Sequence, residues 1–261
     1  GCKKIILVNK KRIMLTIDWF LPGTNSGGPV RSYTNLFNLL RKQFEFYVVT
    51  RNIDYASDKE YKNIIPNRWI RLNDYINVYY ISKEKLNKKH LKKIFDEIQI
   101  DIVLVNGIYS LYFSILPVFL LRNNMPLIIS PRGMLNPQAF SVKGLRKKIF
   151  LIFSRFIGFY QNINFHATNI DESNFIKNWI GSECNIRIAP NVPRKLYCDK
   201  NSPATLGKPI RFVSVSRISI EKGTLRLINI LREIDKPLSI DLYGAIYDKD
   251  YWNQCIKIIT E

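Results

Sequence analysis

The run Ile102-Val103-Leu104-Val105-Asn106 constrains the fold more than any other feature of this chain. It is apolar until its last residue and too short for an ordinary helix, so it reads as a strand buried on both faces. A sheet of parallel strands with helices on both sides hides such a strand. The flanking sequence supplies the neighbours. Strands are expected at Ile13–Phe20, Phe44–Thr50, Val78–Ser82, Leu127–Ser130, Phe165–Thr168 and Ile186–Ala189. Helices are expected from Pro29 to about Arg41, Asn87–Gln99, from Ser110 with a bend at Pro117, Gly144–Tyr160 and Asp171–Trp179. This alternation predicts βαβ units and a doubly wound α/β sheet over residues 1–193. Residues 194–207 are poor in apolar side chains and read as a linker. A second α/β unit is expected over 208–261. Its strands are Ile210–Ser216 and Leu238–Tyr243, and its helices Thr224–Ile234 and Asp250–Thr260. Two strands bury little apolar surface, so this unit reads as the incomplete start of a domain.

The chain has 261 residues, 46% of them hydrophobic, which is material for one large domain or two smaller ones. Its net charge of +19 points to an anionic partner or, equally, to a composition rich in Lys, Ile and Asn. Zinc-ligand spacing, an aromatic RNA-binding strand and a basic heptad region are all absent from the sequence, so nucleic acid is not the expected partner. Cys2, Cys184, Cys198 and Cys255 have no metal spacing and suggest a reduced compartment. Neither Leu111–Leu121 nor Ile149–Tyr160 reaches the roughly 20 apolar residues of a membrane span.

Four segments carry candidate chemistry. Thr24-Asn25-Ser26-Gly27-Gly28-Pro29 joins the first strand to its helix. Paired glycines and a helix N-terminus suit a phosphate, although an ordinary tight turn fits as well. Ser130-Pro131-Arg132-Gly133 lies at the C-terminal end of a buried strand, where open α/β sheets bind ligands. There Arg132 meets an anion or simply faces solvent. Ser216 to Thr224 places Arg217 and Lys222 where they reach a diphosphate, or forms a charged surface loop. The helix from Lys143 holds Lys143, Arg146, Lys147 and Lys148 without an acid, then turns apolar. It suits an anionic membrane surface, or a core position with a solvated basic end. Two histidines, His90 and His166, are too few for a metal site.

In order, these segments resemble the family 4 retaining glycosyltransferases of GT-B fold. The resemblance is carried by Gly27-Gly28-Pro29, Ile102–Gly107, Ser130-Pro131-Arg132-Gly133-Met134-Leu135, and Phe165-His166-Ala167-Thr168 through Glu172. It continues in Ala189-Pro190-Asn191-Val192-Pro193, Ser216-Arg217 with Glu221-Lys222-Gly223, and Leu242-Tyr243-Gly244. It implies two Rossmann-like domains, the first for the acceptor and the second for a UDP- or GDP-sugar. Arg217, Lys222, Gly27 and Gly28 would bind the donor diphosphate without a metal or other cofactor. Asn106, Arg132, Gly133, His166, Glu172 and Asn191 would line the cleft. The implied enzyme builds cell-surface polysaccharide or glycolipid, on a glycan or lipid-linked acceptor, in the cytoplasm or on the inner membrane face. Many relatives carry His where this chain has Arg132. The family's Glu-x7-Glu motif would lie beyond Glu261, which leaves a second expectation: a truncated, inactive relative that retains acceptor or membrane binding.

Overall fold

In a computed structural model of the chain, which describes residues 10–140, 144–193, 210–246 and 248–260, the apolar run at 102–106 is an interior strand of an eight-stranded sheet. The strands are β1 (Lys11–Thr16), β2 (Phe44–Arg51), β3 (Trp69–Arg71), β4 (Ile76–Ile81), β5 (Ile102–Asn106), β6 (Leu127–Ser130), β7 (Asn164–Ala167) and β8 (Asn185–Ile188). Their order is β3-β4-β2-β1-β5-β6-β7-β8, and every pair is parallel except β3 with β4. The chain therefore builds outward from β1 in one direction, returns, and builds from β5 in the other. The point of reversal lies between β1 and β5, and ligands of open α/β sheets bind beyond the C-terminal ends of the strands at such a point.

Alternation along the strands fills both faces. Ile13, Leu15, Phe46 and Val48 pack with Val30, Tyr33 and Phe37 of α1 (Gly28–Leu40), where Phe37 and Phe46 stack with centroids 4.0 Å apart. Met14, Val49, Val103 and Val105 face the other way. They pack with Leu91 and Ile94 of α2 (Lys88–Asp96), Val118 of α3 (Leu116–Leu121), Leu151 of α4 (Gly144–Phe156) and Ile176 of α5 (Ile170–Trp179).

Several boundaries differ from those expected. The first strand stops at Thr16 rather than Phe20. The helix expected to 99 ends at Asp96, and the one expected to 160 ends at Phe156. In the second case Gly158 takes a left-handed φ of 61° and its N–H bonds the Arg155 carbonyl at 3.1 Å, closing the last turn. The short antiparallel β3 was not foreseen. The bend at Pro117 takes the form of a π-helical turn, Leu111–Ile115, before α3. Proline brings no N–H to this turn. The carbonyl of Phe113, four residues back, instead accepts the buried Thr16 hydroxyl at 2.9 Å.

The chain divides into two compact units, residues 1–195 and 196–261. In the second, β9 (Ile210–Val215) and β10 (Leu238–Tyr243) form a parallel pair, accompanied by α6 (Thr224–Arg232) and α7 (Lys249–Thr260). Ile218, Ile228, Tyr251 and Cys255 make its small core. The expected linker at 194–207, Cys2, Cys198 and Lys143 lie outside the described residues. Among the described residues, no helix is long and apolar enough to cross a membrane.

Candidate functional site

The C-terminal ends of the strands in the first unit gather most of the residues expected to carry chemistry. The loop from Leu21 to Gly27 follows β1 and is pinned from several sides. Asp54 Oδ2 accepts the N–H groups of Thr24 and Asn25 at 3.0 and 3.2 Å. The hydroxyls of Tyr61 and Tyr80 donate to the carbonyls of Phe20 and Leu21 at 3.2 and 2.6 Å. Gly27 ends the loop at φ 72°, ψ −113°, a conformation that a side chain strains to adopt. A Cβ at Gly27 or Gly28 would meet nothing within 4 Å, so the backbone here faces open space. No side chain caps α1 and no acid lies in its first turn, which leaves its N-terminal N–H groups and positive dipole end exposed to a ligand.

Arg132 sits in the tight turn after β6. Residues 132 and 133 have φ of 55° and 77°, and the Met134 N–H closes on the Pro131 carbonyl at 3.2 Å, the form of a type I′ turn. An arginine at positive φ is strained, and the surroundings fix it there. Its guanidinium donates to Ser32 Oγ at 3.2 Å and to Asn191 Oδ1, and lies 4.5 Å from the Tyr33 ring centroid. Ser32 Oγ in turn donates to Asn191 Oδ1 at 3.0 Å, and Asn35 Nδ2 to the Val192 carbonyl. Helix α1, the turn after β6 and the segment after β8 thus meet on one guanidinium.

Glu172 is buried in α5 and acts as an acceptor only. Oε1 takes the Gly133 N–H at 2.7 Å, while Oε2 takes the Thr168 N–H and hydroxyl, both at 2.7 Å. It positions the Arg132 turn. His166 is held from both sides, with Nδ1 2.9 Å from Ser130 Oγ and Nε2 2.8 Å from the Ala189 carbonyl. A carbonyl can only accept, so Nε2 is the donor in the bond to Ala189. This histidine ties β7 to the ends of β6 and β8.

Asp18 and its partners were missed in the sequence. Asp18 lies just past β1, and its Oδ1 accepts from Ser110 Oγ at 2.9 Å and from the Arg51 guanidinium at 3.2 and 3.3 Å. Burial pushes its carboxyl above the ordinary value, outweighing Ser110 and Arg51, which pull it down. These groups come from the ends of β1, β2 and β5, so no local motif joins them. The one available signal was an acid immediately after the apolar run Ile13–Ile17.

One pattern sets this edge apart. Among the described residues, buried side-chain polar atoms without a hydrogen-bond partner are Ser26 Oγ, Tyr33 OH, Thr50 Oγ1, Asn106 Oδ1, Arg132 Nε and Ser219 Oγ. Thr50, Asn106 and Arg132 stand at or just beyond the C-terminal ends of β2, β5 and β6, and Ser26 is near the end of the loop that joins β1 to α1. Tyr33 lies under the Arg132 guanidinium. Ser219 belongs to the corresponding turn after β9. Unsatisfied buried groups are rare, and each calls for an explanation.

In the second unit Arg217 and Lys222 are both exposed, on the segment between β9 and α6. A 3₁₀ turn, Ile220–Lys222, runs into α6 through Gly223. A Cβ on Gly244 would fall 1.8 Å from the Ser216 carbonyl oxygen, so the end of β10 presses directly on the start of this segment.

Arg146, Lys147 and Lys148 lie on α4, the first and last exposed and Lys147 half-buried. A cavity of about 880 Å³ also lies elsewhere, beside Gly158, Asn164, Cys184 and Asn185 at the N-terminal ends of β7 and β8. None of the residues expected in a site lines it. Among the described residues, no group of three or more His, Cys, Asp or Glu side chains is placed to hold a metal ion.

No family model matches the chain, and no curated protein matches it in sequence. Among solved structures the chain is similar to MurG of Acinetobacter baumannii, at a TM-score of 0.36 and 11% identity, over 94% of this chain and 71% of that one.

Proposed function

We propose that the chain is a retaining glycosyltransferase with two Rossmann-like halves of GT-B type. It moves a sugar from a UDP- or GDP-linked donor to a cell-surface glycan or lipid-linked acceptor, on the cytoplasmic side of the membrane. The observation that carries this reading is the concentration of unsatisfied buried polar atoms at the C-terminal strand ends of the first unit, with Ser219 Oγ in the turn after β9 of the second. An α/β sheet that binds a polar ligand places its unpaired donors and acceptors there. The ordered motif series supplies the chemical class.

The residues divide the work by chemistry. Arg217 offers a planar fork and Lys222 a mobile point charge, the pair that suits a diphosphate. The exposed backbone of Gly27 and Gly28, at the start of α1, offers N–H groups to phosphate oxygens. Charge develops on the diphosphate as the sugar departs, and fixed basic groups stabilise it without a metal. Arg132, Asn106 and Asn191 face the acceptor, while Glu172 and His166 hold the turns that present them.

Equilibrium binding of a UDP- and GDP-sugar panel, followed by transfer assays, tests the reading. Arg217→Ala and Lys222→Ala should each weaken donor binding about tenfold or more, since hydrogen bonds to charged groups are worth roughly 1.5–3 kcal/mol. Binding of no nucleotide sugar, or affinity indifferent to both substitutions, would sink it.

A further inference from the structure

Helix α4 is covered on one face only. Leu151 and Ser154 are 0% and 2% exposed, and Phe150 packs edge-on against Tyr109. Lys147 belongs to this inward face, with Nζ bonded to the Ala139 carbonyl and lying 5.5 Å from the Tyr109 ring centroid. The opposite face carries Leu145, Ile149, Ile152, Phe153 and Phe156, exposed by 74, 57, 64, 59 and 87%. At 3.6 residues per turn these five fall in a strip about 100° wide, centred opposite the buried face. Arg146 borders it on one side, Lys148 and Arg155 on the other. The helix contains no acid. The sequence alone left open a core helix with a solvated basic end. The structure instead turns much of its apolar content outward, removes Lys147 from the candidate contacts and adds Arg155.

We propose that this face docks the protein on an anionic lipid bilayer, with α4 lying in the plane of the interface. Thirteen residues are too few to span a bilayer, which excludes insertion end-on. Contiguous exposed apolar surface of this kind marks an interaction site. The margins decide the occupant. Basic side chains on both flanks sit at the depth of lipid phosphates while the apolar strip enters the acyl boundary. A second copy of the chain is a poor fit, because two such strips facing each other oppose Arg146, Lys148 and Arg155 with nothing acidic to meet them. This assignment stands independently of the transferase reading.

The test uses the full 261-residue chain and co-sedimentation with vesicles of phosphatidylcholine, with and without phosphatidylglycerol. Binding should require phosphatidylglycerol and weaken as salt rises. Ile149→Glu with Phe156→Glu should lower partitioning at least about tenfold, because the strip loses apolar area and gains repulsion from the lipid charge. Both positions face solvent, so far-UV circular dichroism should be unchanged. The fluorescence that Phe153→Trp adds should shift to the blue on vesicles and be quenched by brominated acyl chains. The proposal fails if the wild type does not prefer anionic vesicles, if the double variant binds equally, or if the added tryptophan is not quenched. It also fails if ultracentrifugation shows a dimer that the double variant dissolves while vesicles bind neither form.

Discussion

Asp18 is an acid held where its charge is disfavoured, and that has a measurable consequence. Burial raises its carboxyl above the ordinary 3.8, more than the Ser110 hydroxyl and the Arg51 guanidinium lower it. The native state therefore binds this proton more tightly than the unfolded chain does. The stability it contributes is fully present below 3.8 and is lost as pH rises through the raised folded value. Urea denaturation of the wild type and Asp18→Asn across the acidic range should show the difference shifting toward the variant as pH rises. A difference independent of pH would mean that Arg51 compensates the buried charge in full. The residue scale is also where the sequence said least. Glu172 and His166 could be named from their motifs, but what they touch could not. Thr168 is close in sequence to Glu172, but Gly133, Ser130 and Ala189 belong to distant segments, and nothing in local spacing shows that all their polar atoms are engaged. Ser32 and Tyr33, which hold Arg132, carry no local signal of that role in the sequence.

At the scale of elements the sequence was far more legible. Short apolar runs located β5 and β6, because a strand buried on both faces has no room for alternation. The strand β3 escaped because three residues, two half-buried and one exposed, pairing antiparallel at an edge leave almost no pattern. In α4 the composition is legible but the covering is not: the apolar residues divide between two opposite faces, and only one is covered. The turn after β9 rests on a contact that the sequence does not advertise. A Cβ at Gly244 would sit 1.8 Å from the Ser216 carbonyl. Backbone meets backbone there, so neither side can rotate away. Gly244→Ala should destabilise the second unit by roughly 1–3 kcal/mol, the usual cost of overpacking, and displace the segment bearing Arg217. Hydrogen exchange should quicken in β9 and β10 and stay unchanged in β1 and β5. Unchanged exchange in β9 would show that the ends of the two strands can separate at little cost.

For the whole molecule the dominant number is the net charge of +19. Four ion pairs join described residues, namely Arg12–Glu45, Arg51–Asp18, Arg71–Asp74 and Arg211–Asp241, so most basic side chains repel one another across the surface. The compact state concentrates that repulsion and salt screens it. The melting temperature should therefore rise as sodium chloride is added from low ionic strength. A fall would mean that the few ion pairs outweigh the excess charge. The hydroxyl that Thr16 gives to the Phe113 carbonyl joins the first strand to a turn far along the chain. Valine at 16 has nearly the same shape but cannot donate. It would strand that carbonyl only while residue 117 is proline. The two positions consequently share a history: a lineage that lost the proline first would be free to lose the threonine, whereas one that lost the threonine first would pass through a weaker protein.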